Sequence, residues 1–279
     1  MTAVISVVLW CAVILGVLYL LAIMPRMLHK PDTEPFKKVL YAHRGLFDNA
    51  TNAPENSLAA FQKAVDAGYG IELDIQLTKD KIPVVFHDFT LDRVCGVKGK
   101  VCDFTYEELL KFPLSGSDQR IPKFSEVLSL VDGRVPLIVE FKIELADLSL
   151  CPIADEMLRN YKGLYCMESF NPLGVFWYRR HHKEIVRGQL SDGFNREGEY
   201  TGALYFILEQ LLLNFLTKPD FIAFNHKYAN MLSRRLCRNL YHNTAAAWTI
   251  RNEEELKAAK ENFDIFIFDS FVPRQGPRV

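Results

Sequence analysis

The chain has 279 residues, 49% of them hydrophobic and 24% charged, with 33 Lys and Arg against 34 Asp and Glu and a formal net charge of −1. These figures exclude a disordered chain, a collagen-like repeat and a small disulfide scaffold. The balanced charge argues against a nucleic-acid partner, which would call for a basic excess, and the length can bury a sizeable core.

Ala3 to Met24 carries no charge, and only Ser6 and Gly16 interrupt an otherwise apolar or aromatic run. As a helix rising about 1.5 Å per residue it would reach roughly 33 Å, enough for a hydrocarbon core of about 30 Å. A cleaved signal peptide is the rival reading. It would show a basic start, a shorter apolar region and a small-residue cleavage site, whereas no Lys or Arg precedes this run and Met24-Pro25-Arg26-Met27 offers no such site. The expectation is a single-pass membrane protein with a transmembrane anchor and flank over residues 1–30 and one domain over 31–279. Arg26, Lys30, Lys37 and Lys38 all follow the span, which places that domain in the cytoplasm. Beyond Cys11 there are five cysteines (Cys95, Cys102, Cys151, Cys166 and Cys237), without paired spacing, which read as reduced thiols rather than a disulfide framework or a zinc site.

After the span, strand-like and helix-like segments alternate. Strands are predicted over Val39–His43, Gly70–Ile75, Pro83–His87, Leu137–Phe141, Leu164–Glu168, Ile185–Leu190, Asp220–Phe224, Ala245–Ile250 and Ile265–Asp269. Most are short and rich in Val, Ile or Phe, as buried parallel strands are. Asn56 is placed to cap a helix whose Leu58, Phe61 and Val65 form one apolar face, with Gly68 as its stop. Asn252 and Glu255 have capping-box spacing. The alternation and size predict an α/β fold, a TIM-type β/α barrel. Nine strands for eight positions is one too many. The second and third are joined by seven residues, too few for a parallel crossover, so the barrel is either irregular there or carries a hairpin.

Glu72 and Asp74 are two apart in Ile71-Glu72-Leu73-Asp74-Ile75, so period-two geometry puts both on one face. Like charges on an apolar strand need a positive compensator or exposure to water. A divalent cation is one compensator, and oxygen-only ligands suit Mg²⁺ or Ca²⁺ better than zinc. Glu140 and Lys142 repeat the spacing, either as a surface ion pair or as a further metal ligand beside a cation for an anionic substrate. His43 and His87 end two predicted strands, where an imidazole can transfer protons near neutral pH. Arg44 offers a planar fork for phosphate oxygens. Together these residues form a toolkit for metal-assisted phosphoryl transfer with acid–base catalysis. No Walker-type phosphate loop is present.

Those residues sit in longer motifs: His43-Arg44-Gly45, Pro54-Glu55-Asn56-Ser57, Ile71-Glu72-Leu73-Asp74-Ile75-Gln76-Leu77-Thr78-Lys79-Asp80, Pro83-Val84-Val85-Phe86-His87-Asp88, Leu91-Asp92-Arg93 and Glu140-Phe141-Lys142. With Ser169-Phe170, Trp248-Thr249 and Phe268-Asp269, the stretch from about Val39 to Phe271 resembles the glycerophosphodiester phosphodiesterase family. The resemblance implies a phosphodiesterase-type barrel over residues 31–279. It also implies a divalent metal (Mg²⁺ or Ca²⁺) on Glu72, Asp74 and Glu140, and His43 and His87 as the acid–base pair. Arg44 and Lys142 would lie on the substrate phosphate, with Glu55 and Trp248 bordering the site. The implied reaction is hydrolysis of a glycerophosphodiester to glycerol 3-phosphate and an alcohol. Arg93-Val94-Cys95 and Phe268 depart from the family pattern at positions that bear on substrate fit.

Tyr205–Leu216 is a second apolar stretch, too short to span. It reads either as a barrel helix packed on the sheet or as a surface that dips into headgroups and admits lysophospholipids. Two alternatives therefore stand beside the first reading: a lysophospholipase D-type or other phospholipid phosphodiesterase on the same barrel, and a non-catalytic, membrane-tethered headgroup binder.

Overall fold

The computed structural model describes residues 2–197 and 201–279; Met1, where the anchor segment is expected to begin, lies outside them. All nine predicted strands form: β1 (Tyr41–His43), β2 (Gly70–Leu77), β3 (Pro83–Val85), β4 (Leu137–Phe141), β5 (Tyr165–Ser169), β6 (Arg187–Ser191), β7 (Phe221–Asn225), β8 (Thr244–Ile250) and β9 (Ile265–Phe268). Eight of them close into a parallel β/α barrel in the order β1-β9-β8-β7-β6-β5-β4-β2, with β1 bonded back to β2. The surplus strand is β3. It runs antiparallel to the far end of β2, pairing Ile75 with Val85 and Leu77 with Pro83, so the seven-residue link is a hairpin. Thr78 shapes its turn, its Oγ1 donating to Asp80 Oδ1 at 2.6 Å and accepting from the Ile82 amide at 2.9 Å.

The hairpin corrects one expectation. His87 does not end a barrel strand; β3 stops at Val85. His87 instead enters from a lobe that replaces the single crossover helix, with its own core of Phe86, Leu91, Val94, Val101, Leu109 and Leu114.

The helices are α1 (Thr2–Ile23), α2 (Leu58–Asp66), α3 (Phe124–Val131), α4 (Leu150–Asn160), α5 (Pro172–His181), α6 (Ala203–Glu209), α7 (Asn214–Thr217), α8 (Leu232–Asn239) and α9 (Glu253–Ala259), besides shorter turns. The cap of α2 is Ser57, whose Oγ accepts from the Ala60 amide at 3.1 Å; Asn56 is left for another task. Asn252 does cap α9, but Glu255 returns its bond to the Arg251 amide rather than to Asn252. The apolar stretch Tyr205–Leu216 is not one helix. It breaks between α6 and α7 at Leu211, whose φ is +57°.

Strand alternation divides the core. Ala42, Ile71, Leu73, Val139, Phe141, Met167, Ile222 and Phe224 pack in the larger cluster that includes the helices. Tyr41, Ile138, Cys166, Phe221, Ala246, Ile265 and Ile267 form a separate cluster with Phe36. Two glycines make room for its rings. A Cβ on Gly70 would stand 2.6 Å from the Tyr41 ring, and one on Gly188 only 2.2 Å from the Phe221 ring.

Residues 4–18 of α1 are exposed, and Val4–Ile23 is long and apolar enough to cross a membrane. The last turn of α1 is fixed to the barrel. Ile23 is buried, and its carbonyl accepts from Asn214 Nδ2 at 2.9 Å and Cys237 Sγ at 3.3 Å. The Tyr241 hydroxyl donates to the Leu20 carbonyl, and Arg26 reaches the Lys183 carbonyl at 2.8 Å and Asp220 Oδ1 at 3.4 Å. All six cysteines are free.

Because the Phe221 ring fills the space beside Gly188, Gly188→Val is expected to cost about 1–3 kcal/mol of stability. Denaturation midpoints check this, and Phe221→Leu in the same chain should recover part of the loss. A Gly188→Val protein as stable as the parent would refute the steric account.

Candidate active site

The carboxylates of Glu72, Asp74 and Glu140 converge, with one oxygen from each lying within 4.8 Å of the others. Two register pairs cause this. Asp74 on β2 stands opposite Glu140 on β4, and His43 on β1 stands opposite Glu72. All three carboxylates are buried. Burial raises the Glu72 carboxyl well above its ordinary range, reinforced by Asp74, Glu140 and Glu168. Burial also raises Glu140, against the pull of Lys142. For Asp74, burial is outweighed by His87, Lys142 and Arg44 and by a hydrogen bond from Asn56, and its carboxyl is lowered. That bond, Asn56 Nδ2 to Asp74 Oδ2 at 2.9 Å, is what Asn56 does in place of capping α2.

The donor set fits a divalent cation. Every donor is a carboxylate oxygen, as Mg²⁺ and Ca²⁺ prefer, and Asp74 Oδ1 is buried without a hydrogen-bond partner. Lys142 Nζ lies 2.9 Å from Glu140 Oε1 and 3.7 Å from Asp74 Oδ1, so the site is already partly balanced by one ammonium.

The two imidazoles are held alike. His43 Nδ1 lies 2.9 Å from Asp269 Oδ2, and His87 Nδ1 lies 2.5 Å from Asp88 Oδ1. Burial pushes the Asp269 carboxyl up, but the His43 and Ser270 hydrogen bonds and Arg251 bring it down to about 2. An ionised carboxylate only accepts, so Nδ1 carries the proton and Nε2 is the free nitrogen. His43 Nε2 lies 3.9 Å from Glu72 Oε2. Burial, and then the Arg44 charge, depress the His43 imidazole to about 4 despite Asp269.

Both histidines line one cavity of about 790 Å³ with Arg44, Glu72, Glu140, Lys142 and Trp248. Asp74 is fully buried and does not itself line the cavity. Arg44 is less free than its sequence position suggests. Its Nη1 donates to Glu55 Oε1 at 2.9 Å, and its Nε is buried 3.7 Å from Asp74. Glu55 stays outside the carboxylate cluster. Burial would raise it, but Arg93 and Arg44 bring it to about 2. Arg93 bonds both Glu55 oxygens, at 2.6 and 2.8 Å, and also Asp88 at 2.7 Å. It thereby ties the Arg44 support to the His87 support. The Trp248 ring packs edge-on to Phe170 with centroids 5.5 Å apart.

Four residues escaped the sequence reading of the site. Gln76 continues the Glu72–Asp74 face, and its Nε2 holds the Phe86 and Asp88 carbonyls, each at 2.8 Å. The period-two signal that exposed Glu72 and Asp74 would have found it. Asp88 and Asp269 orient the imidazoles; the acid next to His87 was legible, whereas Asp269 meets His43 only through closure of the barrel. Glu168, opposite Glu140 on β5, adds a fourth buried carboxylate to the cavity wall.

The glycerophosphoryl diester phosphodiesterase family profile matches residues 43–269, and the chain belongs to this family. A glycerophosphodiester phosphodiesterase of Caldanaerobacter subterraneus subsp. tengcongensis is 37% identical over 147 residues, covering 48% of this chain and 59% of that protein. Glycerophosphodiester phosphodiesterase 1 of Mus musculus is 39% identical over 158 residues, covering 52% and 46%. The matched stretch spans about half the length of these relatives. An Oleispira antarctica phosphodiesterase, solved in complex with the product sn-glycerol-3-phosphate, superposes with a TM-score of 0.65 at 24% identity, over 83% of this chain and 92% of that one. A Thermotoga maritima glycerophosphodiester phosphodiesterase gives 0.64 at 23%, over 83% and 94%. At these identities the structures speak to the fold, a closed eight-stranded barrel.

The depressed His43 has a sign that can be measured. An unfolded imidazole titrates near 6.5 and the folded one near 4, so the unfolded chain takes the proton first. The penalty is absent above about pH 6.5, grows as pH falls and is complete below about 4, on the order of 3 kcal/mol. In chelated protein, urea midpoints of the parent should fall more steeply across that window than those of His43→Asn. Equal slopes would contradict a neutral buried His43.

Proposed function

We propose that the protein hydrolyses glycerophosphodiesters to glycerol 3-phosphate and an alcohol, with Glu72, Asp74 and Glu140 holding a divalent cation, Mg²⁺ or Ca²⁺. The observation that carries this reading is the pair of imidazoles, each with Nδ1 on a carboxylate and both on the cavity that holds the converging acids. The cation would supply Lewis-acid stabilisation of charge on the phosphoryl oxygens.

The rest falls to the chain. Lys142 and Arg44 supply positive charge beside the phosphate. One imidazole takes the proton of the glycerol hydroxyl next to the phosphate, and that oxygen bonds to phosphorus as the P–O bond to the alcohol breaks. The other imidazole protonates the departing alcohol oxygen. Water then opens the cyclic phosphate with the two roles exchanged. Asp269 and Asp88 keep each Nε2 directed to the reaction. Glu55 acts through Arg44, and Trp248 walls the cavity.

One observation favours lysophospholipids as a second class of substrate. Leu173, Leu204, Leu208, Leu213 and Leu216 continue the same cavity away from the acids, and an acyl chain could lie along them. The last turn of α1 meets Asn214 of α7, between Leu213 and Leu216, whereas Arg26 just past it meets Pro219 and Asp220 before β7, at the opposite end of the strands from His43 and Glu140. A soluble glycerophosphodiester remains the first reading, because the proposed chemistry at phosphorus needs none of these leucines.

Product assays on glycerophosphocholine and on a short-chain lysophosphatidylcholine, with Mg²⁺, Ca²⁺ or a chelator, test both substrate classes. Glycerol 3-phosphate should appear only with metal. His43→Ala and His87→Ala should each reduce turnover by at least about 100-fold while circular dichroism stays unchanged. Near-normal hydrolysis by both variants would remove the acid–base pair, and metal-independent activity would remove the cation. Turnover of the lyso-lipid alone would favour the second class.

In the same reading, α1 spans the bilayer as a single-pass anchor, residues 1–30 form anchor and flank, and the catalytic domain over 31–279 is cytoplasmic. The exposed Cys102 reports the side. In intact cells a membrane-impermeant maleimide should not label it until the cells are permeabilised. Labelling beforehand would reverse the orientation.

A further inference from the structure

A second cavity, of about 530 Å³, lies at the other end of the barrel, where α1 joins it. Its wall comes from the flank after α1, the end of α5, the turn before β6 and the turn before β7. We propose that this cavity, walled by Arg26, Arg179, Arg180, Lys183, Arg187 and Lys218, binds the phosphate of an anionic phospholipid beside the anchor. The inference rests on the reading that α1 lies in a bilayer.

Charge is the first argument. Six basic side chains line the cavity and no carboxylate does. Asp220 stands behind the wall and is shared, 3.4 Å from Arg26 and 3.5 Å from Arg187. The remaining bonds go to neutral carbonyls. Arg179 donates to those of Phe215 and Leu216, Lys218 to that of Met24, and Arg187 to those of Thr217 and Lys218. Carbonyls satisfy N–H groups but leave the positive charge in place. Arg180 and Lys183 are exposed at the rim.

The second argument is an unmatched donor. The Arg187 side chain is 2% exposed, and its buried Nη1 makes no hydrogen bond: it stands 3.5 Å from Asp220 Oδ2, an acid it shares with Arg26. A buried guanidinium whose counter-charge is shared and unbonded is under-compensated unless a further anion meets it. Burial, aided by Arg26 and Arg179, lowers the Arg187 guanidinium to about 10, and burial with Arg179 lowers Lys218. Burial is the larger cause at both, Asp220 opposes it at Arg187, and the neighbouring cations add to it.

Position selects the anion. Met24, Met27 and Leu28, which follow directly on α1, also line the cavity, and Leu28 is 75% exposed. Basic residues just past a span meet the phosphate layer of the membrane, while apolar ones beside them meet acyl chains. A soluble anion would have no use for that apolar lip.

The test uses the full chain, as parent and as Arg180→Gln/Lys183→Gln. These are rim residues with no fixed ion pair on the wall, so the fold should survive. Protein is reconstituted in phosphatidylcholine vesicles with and without phosphatidylglycerol. Retained lipid is then counted by native mass spectrometry, and the apparent affinity for phosphatidylglycerol is measured by titration in detergent. The parent should retain phosphatidylglycerol preferentially, and the double variant should bind it about thirtyfold more weakly, roughly fivefold for each charge removed. No preference, an unchanged affinity in the variant, or equal stabilisation of the parent by inorganic phosphate alone would overturn the proposal. Failure of the anchor reading looks different: the chain would not float with phosphatidylcholine vesicles at all. Flotation without a phosphatidylglycerol preference removes the lipid site alone.

Discussion

The constraint on which the rest depends is electrostatic. Glu72, Asp74, Glu140 and Glu168 are buried together at the mouth of one barrel. Two carboxylates at the 4.8 Å limit of the cluster repel by about 3 kcal/mol in a medium of effective dielectric near 20. Several such pairs would cost a large part of a domain's ordinary stability, so the charges cannot all stand alone. Lys142, within 2.9 Å of Glu140, and Arg44, 3.7 Å from Asp74, relieve part of it. Protonation relieves more, which is the meaning of a Glu72 carboxyl raised well above its usual range. A divalent cation would release those protons and use the same crowding as affinity. The cost of crowding these carboxylates and their fitness for a metal are thus one property.

That constraint also explains the outer scaffolding. Imidazoles beside such a cluster must be kept in one tautomer, and each is fixed by a carboxylate outside the cluster. Asp269 fixes His43, and Asp88 fixes His87. Asp88 is held by Arg93, Arg93 by Glu55, and Glu55 by Arg44. The chain of alternating charges runs from one imidazole support to the guanidinium beside Asp74. Gln76 adds a neutral brace by gripping the backbone on both sides of His87. Because these contacts join β1, β2 and the lobe after β3, the site is only as well positioned as the barrel is closed.

Much of this was legible in the residues. Strand periodicity in Ile71-Glu72-Leu73-Asp74-Ile75 put two acids on one face, and the spacing of Glu140 and Lys142 did the same on β4. Short Val- and Ile-rich runs located all nine strands. The surplus strand resolved into a hairpin because seven residues cannot cross a sheet. Other features are non-local and left little trace. Asp269 meets His43 across 226 positions because β9 pairs with β1. Asn56 reads as a cap as readily as the neighbouring Ser57, which does that work, because nothing local distinguishes the two. The break at Leu211, whose φ is +57°, is a backbone feature that the hydrophobic pattern of Tyr205–Leu216 does not encode.

The two ends of the barrel answer to different physics. At the carboxyl ends of the strands the chain concentrates negative charge around two imidazoles. At the amino ends it concentrates positive charge around the foot of α1. The strands between are filled by an apolar layer with Phe36, Tyr41 and Phe221 at its centre, so the opposite fields are separated by low-dielectric packing and do not cancel. Asp220 is tied into the basic end by its pairs with Arg26 and Arg187. In the proposed reading an anionic substrate at the mouth would meet Lys142 and Arg44, and an anionic membrane surface would meet the base of the anchor. Charge is thus segregated along the barrel axis, with the acids at the carboxyl ends of the strands and the basic cluster at the amino ends, beside the foot of α1.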